Sequence, residues 1–328
     1  MHRLPRFVRS SGAPKPRVLL VDDHREVLDR VSALLVDDFD VAGLATDGRQ
    51  ALDLARQVDP DVIVLDINMP GLDGFRTKRA LEQAGSRAPV VFLSAVDADD
   101  HVSEAFRRGG RGYVPKARLA RNLVSALDQV LLGRLFVPSL TSLCGLAKDG
   151  RHAMQVYGDV ECFLDGLAAF FSLALQRGDA TCVIGTEDVR EGLSRRLRAA
   201  GWDVGGPSGH NRYLSIDAAD ALNRFMRNGL ADAGVIAEIA SELDQYRRDV
   251  SDGESSCLTI FGNMVVPLIA DGNSTAALAL ESHWNRLTHA LPFMTLCGYS
   301  ASCFHACVPN LWSEACQEHS AVSQASDL

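Results

Sequence analysis

Lysine is the scarce residue type in this chain of 328 residues. The sequence has only four lysines, and none follows position 148: Lys15, Lys78, Lys116 and Lys148. Loops of the G-x-x-x-x-G-K-[ST] type hold nucleotide phosphates with the help of a lysine. The second half of the chain therefore lacks a residue that such a loop requires, and we expect no ATP hydrolysis from it.

Long apolar runs are also missing. The longest candidate, around residues 167–175, is shorter than the about 20 residues of a membrane-spanning helix, so we expect a core helix there. The first 17 residues hold five basic side chains and no acid. No apolar segment of the secretory type follows them, and we expect a basic disordered tail over residues 1–16. A net charge of −9 favours a soluble cytoplasmic protein that is not attracted to nucleic acid in general.

The chain has eight cysteines, and six of them follow residue 180. Without an export signal we expect reduced thiols. The densest group gathers three thiols and two imidazoles within seventeen residues: Cys303, His305, Cys307, Cys316 and His319. Such side chains can hold zinc, but their spacing is not that of a C-x-x-C knuckle, and cysteine is also a common core residue. A core role, a redox-sensitive thiol and a metal site all stay open.

Short apolar strands and amphipathic helices alternate in the first half. Strands are predicted at 17–21, 41–45, 62–65, 90–93 and 112–114, with helices such as 25–35 and 48–56 between them and a last helix at 117–133. This alternation predicts an α/β fold, in which a doubly wound parallel sheet carries helices on both faces.

Several predicted strands end in polar side chains. Asp22 and Asp23 follow the first strand, Asp66 follows the third, Ser94 the fourth, and Lys116 comes soon after the fifth. Ligands of open α/β sheets bind at this edge. Carboxylates gathered there repel one another unless a cation lies among them, and their oxygens favour Mg²⁺, or Mn²⁺ in its place. Asp66 could then attack a phosphoryl donor, while Lys116 and Ser94 neutralise charge on the transferring oxygens.

These residues give positions 17–135 a resemblance to the CheY-like receiver domain of bacterial two-component response regulators, which has a flavodoxin-like (βα)5 fold. The matching motifs are Asp22-Asp23, Asp66-Ile-Asn-Met-Pro-Gly-Leu-Asp-Gly74, Ser94-Ala95 and Tyr113-Val-Pro-Lys116. The resemblance implies that Asp66 accepts a phosphoryl group from a sensor histidine kinase. It implies at most a slow self-dephosphorylation and no other enzymatic activity.

The same resemblance assigns roles to the neighbours of the acceptor. Asp22, Asp23 and Asp66 would hold the metal together with the backbone carbonyl of Asn68. Ser94 and Tyr113 would be the switch pair that rearranges on phosphorylation. The receiver face at 105–127 is a candidate homodimer surface.

The end of the receiver-like region resembles receivers that precede a helix-turn-helix domain. The remaining stretch is too long for one, and no short helix, glycine turn and basic helix stand out in it. Direct DNA binding is therefore disfavoured, and only the basic residues of the N-terminal tail support it.

A second α/β pattern begins at His152. The succession Cys182-Val-Ile-Gly-Thr-Glu-Asp-Val, a helix and Ala-Gly-Trp-Asp203 resembles RecA-like ATPases of the circadian-clock type, although the upstream segment at 157–165 is no phosphate loop. This resemblance implies a RecA-like fold without its phosphate loop. Glu187, Asp188 and Asn263 are candidates for a ligand pocket. The first two are equally consistent with acids that stabilise a helix N-terminus.

Residues 152–321 as a whole resemble a MEDS domain, the sensory module of methanogen and methylotroph regulators of the dichloromethane-response type. The motifs are His152 and Tyr157, Thr186-Glu187, Phe261-Gly-Asn-Met-Val265, Gly272-Asn273, Leu280-Glu281, Trp284-Asn285, Leu296-Cys-Gly-Tyr299, and Cys316 with His319-Ser320. The family usually has an acid where Asn263 stands, so a role that needs that carboxylate is not implied here.

The sequence thus predicts a tail at 1–16, a receiver at 17–136, a linker at 137–151, a MEDS-like sensory or output domain at 152–322 and a short tail at 323–328. Phosphorylation of Asp66 would modulate the MEDS-like domain. That domain would bind a downstream regulatory protein or a small ligand and control transcription indirectly. Two alternatives remain: a nucleotide- or ligand-binding sensor with a degenerate ATPase fold, and a regulator that binds DNA directly.

Overall fold

A computed structural model describes residues 14–144, 152–205, 211–251, 253, 256–301 and 317–324. The chain folds into two compact units, with the division between Pro138 and Ser139. Both units are α/β, with parallel strands in their main sheets, so the predicted fold class is confirmed. Among the described residues, no helix is both long and apolar enough to cross a membrane.

The first unit has six parallel strands in the order β2-β1-β3-β4-β5-β6. Its strands are β1 (Arg17–Val21), β2 (Asp40–Ala45), β3 (Val62–Asp66), β4 (Val90–Ser94), β5 (Gly112–Pro115) and β6 (Leu135–Val137). Its helices are α1 (Arg25–Leu35), α2 (Gly48–Val58), α3 (Gly74–Gln83), α4 (Asp99–Arg107) and α5 (Leu119–Leu131), with a 3-10 turn at Lys116–Arg118.

The sheet of the first unit separates two apolar cores. Successive side chains of a strand point to opposite faces, so Val18 and Leu20 join one core while Leu19 and Val21 join the other. Helices α1 and α5 close the first core, and α2, α3 and α4 close the second. Burial of each large aliphatic side chain there stabilises the folded state by roughly 1.5–3 kcal/mol. Strands buried on both faces explain why the sequence shows continuous apolar runs rather than alternation.

The second unit has a six-stranded parallel sheet in the order β14-β7-β13-β12-β8-β9. Its first elements are α6 (Leu140–Cys144), β7 (His152–Tyr157), α7 (Val160–Gln176), β8 (Ala180–Gly185), α8 (Glu187–Ala199), β9 (Tyr213–Asp217) and α9 (Ala218–Phe225). Then come β10 (Met226–Arg227), β11 (Leu230–Ala231), α10 (Ala233–Val250), β12 (Leu258–Gly262), α11 (Val265–Ala270), α12 (Ser274–Ala290), β13 (Phe293–Ser300) and β14 (Ala321–Gln324). Strands β10 and β11 form a separate antiparallel pair.

Two features of the second unit differ from the sequence prediction, and a third prediction is not tested. A helix predicted at 222–227 instead begins at Ala218. The Asp217 carboxylate caps this helix, because it accepts hydrogen bonds from the backbone N–H groups of Ala219 and Asp220. Strand β14 is not predicted, and it runs two residues into the segment predicted as a C-terminal tail. The helix predicted at 308–318 lies almost wholly outside the described residues.

Candidate functional site

Two carboxylates meet in the first unit because two adjacent parallel strands end at the same sheet edge. Asp22 follows β1 and Asp66 ends β3, and these strands pair in register. Both residues are buried, with 1% of Asp22 and 2% of Asp66 exposed. All five residues of β3 are buried, so the strand has no freedom to turn Asp66 outward.

The Lys116 ammonium lies between these two carboxylates. Its Nζ atom is 2.7 Å from Asp22 Oδ2 and 3.0 Å from Asp66 Oδ2. Lys116 opens the 3-10 turn that follows β5, so its long side chain reaches back across the strand ends. The structure thus brings together three residues that the sequence placed at strand ends, and their roles toward a phosphoryl group stay predictions.

Asp23 and His24 complete the acidic cluster. One ligand atom from each of Asp22, Asp23, His24 and Asp66 lies within 4.8 Å of the others. Sequence reasoning missed His24, whose Nδ1 is 2.9 Å from Asp23 Oδ1; its position directly after the paired aspartates was the available signal. The backbone role proposed for Asn68, an exposed residue just after β3, stays a prediction.

The donor set of this cluster fits a hard divalent cation. Asp66 Oδ1 is buried and has no hydrogen-bond partner among the described residues. A buried carboxylate oxygen without a partner is costly, and a metal ion would satisfy it. Carboxylate oxygens at an accessible edge suit Mg²⁺, which keeps part of its shell for water and phosphate.

The charges in the pocket perturb one another. Burial raises the pKa of Asp66, and the charge of Asp22 adds to this, while the hydrogen bond from Lys116 partly offsets it. For Lys116, burial lowers the pKa, but the two carboxylates outweigh burial, and its pKa lies above the usual value. The pocket therefore holds a charged ammonium beside a carboxylate whose ionised form is disfavoured by burial.

Ser94 and Tyr113 are linked through one peptide. The Val96 N–H donates to Ser94 Oγ at 3.0 Å, and the Tyr113 hydroxyl donates to the Val96 carbonyl oxygen. Both side chains are buried. Burial raises the pKa of Tyr113, so that its phenol stays a proton donor. A displacement of Ser94 would thus reach Tyr113 through Val96.

Gly74 fixes the loop that follows Asp66. A Cβ atom at this position would lie 2.3 Å from the Asp66 carbonyl oxygen and 2.8 Å from Ile67 Cα. Both contacts are with backbone, which cannot rotate aside. The Gly74 N–H also donates to the Ile67 carbonyl oxygen at 2.9 Å. Glycine is therefore required at the start of α3 for the chain to return this close to Asp66.

The candidate pocket residues of the second unit lie at the ends of β8 and β12, which pair in parallel. Asn263 is buried, and its Oδ1 accepts the Thr186 N–H at 3.2 Å. Glu187 and Asp188 are exposed in the first turn of α8, where acids stabilise a helix N-terminus. Asn263 thus ties two strand ends together, and its role toward a ligand stays a prediction.

Of the cysteine and histidine group, Cys303, His305, Cys307 and Cys316 lie outside the described residues. His319 is described and buried. Its ring lies against His152, with 4.1 Å between the ring centroids, and its Nε2 is 3.4 Å from Glu281 Oε2. These neighbours are remote in sequence, and sequence reasoning did not connect them.

Comparison with protein families agrees with the two units. The response regulator receiver domain matches residues 18–128, and MEDS, the methanogen/methylotroph, DcmR sensory domain, matches residues 151–319. The second match covers more than half of the chain. The chain belongs to the MEDS family. Its receiver domain precedes its MEDS domain, which confirms the recognition made from the sequence motifs.

Curated relatives resemble the receiver domain. The nitrate/nitrite response regulator NarL of Escherichia coli K12 is 35% identical over 120 residues, 36% of this chain and 56% of that protein. The transcriptional regulatory protein MctR of Rhizobium johnstonii is 37% identical over 128 residues, 38% of this chain and 60% of that protein. The chain thus spans little more than half the length of these relatives.

A solved two-component response regulator of the LuxR family from Aurantimonas sp. SI85-9A1 is also similar. It is 30% identical, with a TM-score of 0.36, and the alignment covers 37% of this chain and 88% of that one.

Replacing Gly74 with alanine tests the close approach beside Asp66. Because the added Cβ would meet backbone at 2.3 Å, we expect Gly74→Ala to destabilise the receiver domain by about 1–3 kcal/mol. Urea unfolding measures the change in the free energy of unfolding. Gly166→Ala is the control, since its Cβ meets only Leu140 Cδ1 at 3.9 Å. Unchanged stability in Gly74→Ala would contradict this geometry.

The raised pKa of Asp66 predicts that the wild type and a variant without this carboxylate differ in stability by an amount that depends on pH. In metal-free buffer near pH 7, Asp66→Asn should stabilise the protein, because it removes a charge that burial disfavours. When an acid has a raised pKa in the folded state, the protein becomes more stable as the pH falls through that pKa. The wild type gains this stability and Asp66→Asn does not, so the difference between their free energies of unfolding should narrow toward acidic pH. Thermal unfolding across pH measures the gap. A gap that widens on acidification contradicts the assignment.

The partner variant, Lys116→Gln, should shift stability in the opposite direction. It removes the ammonium that pairs with both Asp22 and Asp66 and leaves two buried carboxylates facing each other, at a cost of about 1–3 kcal/mol. Urea unfolding in metal-free buffer near pH 7 measures the loss. A variant as stable as the wild type would show that the ion pairs contribute nothing to folding.

Proposed function

We propose that this protein is a phosphorylation-dependent response regulator of a two-component system, in which Asp66 is the phosphoacceptor. The observation that carries the proposal is the buried Asp66 carboxylate, 3.0 Å from the Lys116 ammonium at the edge of a parallel sheet. The receiver-domain match and the regulator relatives support the same class. We propose a sensor histidine kinase as the donor and the cytoplasm as the compartment.

The chemistry requires one nucleophile and charge neutralisation. An Asp66 carboxylate oxygen attacks the phosphorus atom, and the bond from phosphorus to the donor's imidazole nitrogen breaks with its electron pair staying on that nitrogen. Lys116 then faces the new acyl phosphate and stabilises its charge. Asp22, Asp23 and Asp66 would hold Mg²⁺, which supplies further neutralisation of the phosphoryl oxygens when bound.

The switch we propose uses the peptide of Val96. A phosphoryl group on Asp66 offers the Ser94 O–H a new acceptor, and a rotation of Ser94 toward it would displace the Oγ atom that accepts the Val96 N–H. The Val96 carbonyl oxygen, which accepts from Tyr113, moves with that peptide. Typical couplings between two such states are about 1–3 kcal/mol, enough to change the affinity for a partner.

We further propose that the receiver domain modulates the MEDS domain. The MEDS domain would bind a downstream regulatory protein or a small ligand and control transcription indirectly. The surface at 105–127 includes part of α4, β5 and most of α5, and we propose it for homodimer formation. The domain limits proposed from the sequence are 17–136 and 152–322.

Phosphorylation by acetyl phosphate with Mg²⁺ tests the acceptor assignment. We expect one phosphoryl group per chain in the wild type and none in Asp66→Asn, because an amide is not a competent nucleophile here. Intact-mass spectrometry and a phosphoprotein gel measure it. Asp53→Asn, an exposed carboxylate on α2, should be phosphorylated like the wild type. Full phosphorylation of Asp66→Asn sinks the proposal.

Tyr113→Phe tests the switch separately from the chemistry. The variant lacks the hydroxyl that donates to Val96 but keeps Asp22, Asp66 and Lys116, so phosphorylation should proceed at a similar rate. The change in self-association caused by beryllofluoride, measured by analytical ultracentrifugation, should fall about fivefold or more. An undiminished change in Tyr113→Phe would show that Tyr113 takes no part in the switch.

A further inference from the structure

Four side chains of the kinds that bind metals meet inside the MEDS domain, and none of them belongs to the receiver site. They are His152 on β7, Glu281 on α12, Cys297 on β13 and His319 just before β14. Between 0% and 6% of each residue is exposed. Their positions in the sequence are far apart. The sheet order β14-β7-β13 places His152 and Cys297 on adjacent strands and brings His319, two residues before β14, beside them.

Three of the four distances between ligand atoms in this buried cluster match the edges of a zinc coordination tetrahedron, and the distance from His152 to Cys297 is shorter. Glu281 Oε2 lies 3.3 Å from His152 Nε2, 3.4 Å from His319 Nε2 and 3.4 Å from Cys297 Sγ. His152 Nε2 and Cys297 Sγ are 3.1 Å apart. A tetrahedral zinc ion, with bonds of about 2.0–2.3 Å to nitrogen, oxygen and sulfur, holds its ligand atoms about 3.3–3.8 Å apart.

Outer hydrogen bonds orient two of the four groups toward the centre. His152 Nδ1 lies 3.1 Å from the Glu318 carbonyl oxygen, which can only accept, so Nδ1 carries a proton and the neutral ring has its lone pair on Nε2. The Tyr299 hydroxyl donates to Glu281 Oε1, which leaves Oε2 facing the other three groups. Metal-binding histidines and carboxylates are commonly held by such partners.

This arrangement leaves lone pairs facing one another. With its proton on Nδ1, a neutral His152 presents an Nε2 lone pair to a carboxylate oxygen 3.3 Å away, a repulsive contact in a dry core. A second proton on the imidazole, an S–H bond from Cys297 to Nε2 across 3.1 Å, or a cation among the four groups relieves it. The tetrahedral spacing and the presence of a thiol favour the cation.

We propose that His152, Glu281, Cys297 and His319 bind one divalent ion of the zinc class in the MEDS domain. One sulfur, two nitrogens and one oxygen suit zinc better than Mg²⁺ or Ca²⁺. Four protein ligands in a buried site leave no open position, which is typical of structural sites. The ion would join β14, through His319, to β7, α12 and β13.

Metal analysis of the full-length protein tests this site. We expect about one zinc per chain by plasma mass spectrometry after purification with excess Mg²⁺, which occupies the receiver carboxylates. Cobalt(II) replacing zinc should give visible d–d bands of a four-coordinate ion and a thiolate-to-cobalt band. Glu281→Gln should weaken zinc binding at least about tenfold, and Cys297→Ser should remove the thiolate band. Cys182→Ser, buried on β8 outside the cluster, should retain metal and spectrum.

The outcomes separate the metal site from a hydrogen-bonded network. A folded wild-type protein that takes up neither zinc nor cobalt overturns the proposal and points to a protonated imidazole beside Glu281. Full metal binding in both folded variants places the ion elsewhere and also overturns it. Circular dichroism checks folding. If a variant does not fold, two other samples test the proposal. Tyr299→Phe should keep its metal with reduced affinity. Wild-type protein that has been stripped with a chelator and reconstituted with cobalt must show the thiolate band.

Discussion

One ammonium group between two buried carboxylates determines what the receiver domain can do. Lys116 lies within 3.0 Å of both Asp22 and Asp66, and without it the two charges would repel each other across the pocket. Even with it, burial keeps the pKa of Asp66 raised. Asp66 is therefore held in place by a charge partner that does not fully offset its burial, and a carboxylate in that state would be stabilised by a metal ion or by the proposed phosphorylation.

The buried acid of the MEDS domain, Glu281, has neighbours of a different kind. The domain contains no lysine at all, and Glu281 is wholly buried, surrounded by two imidazoles, a thiol and a phenol. These four groups are short enough to meet around one point inside the core. A lysine in their place would have a long side chain whose ammonium group usually extends to water. The receiver pocket lies at an open sheet edge where a donor can reach it, and the MEDS cluster is buried in the domain core. The first geometry fits the proposed phosphoryl transfer, and the second fits the proposed binding of one ion within the domain.

Much of the receiver was predictable because its signals are local. The bounds of β1 and α1 follow from apolar runs and a helical period, and Asp22, Asp66 and Lys116 follow from their places at strand ends. His24 and Gly74 were not predicted as site residues. Their importance depends on contacts with Asp23 and with the Asp66 backbone, which no single segment contains. Strand β14 escaped prediction because only the first two of its four residues, Ala-Val-Ser-Gln, are apolar, so no apolar run marks it.

By itself, the sequence determined two α/β domains, the placing of Asp66 and Lys116 beside each other at strand ends, and a second half without lysine. These conclusions rest on composition and on the rule that parallel strands present their ends together. Only the tertiary structure decided which distant residues share the core of the MEDS domain. His152, Glu281, Cys297 and His319 span most of that domain's length, and their meeting depends on strand order, which no short-range pattern encodes.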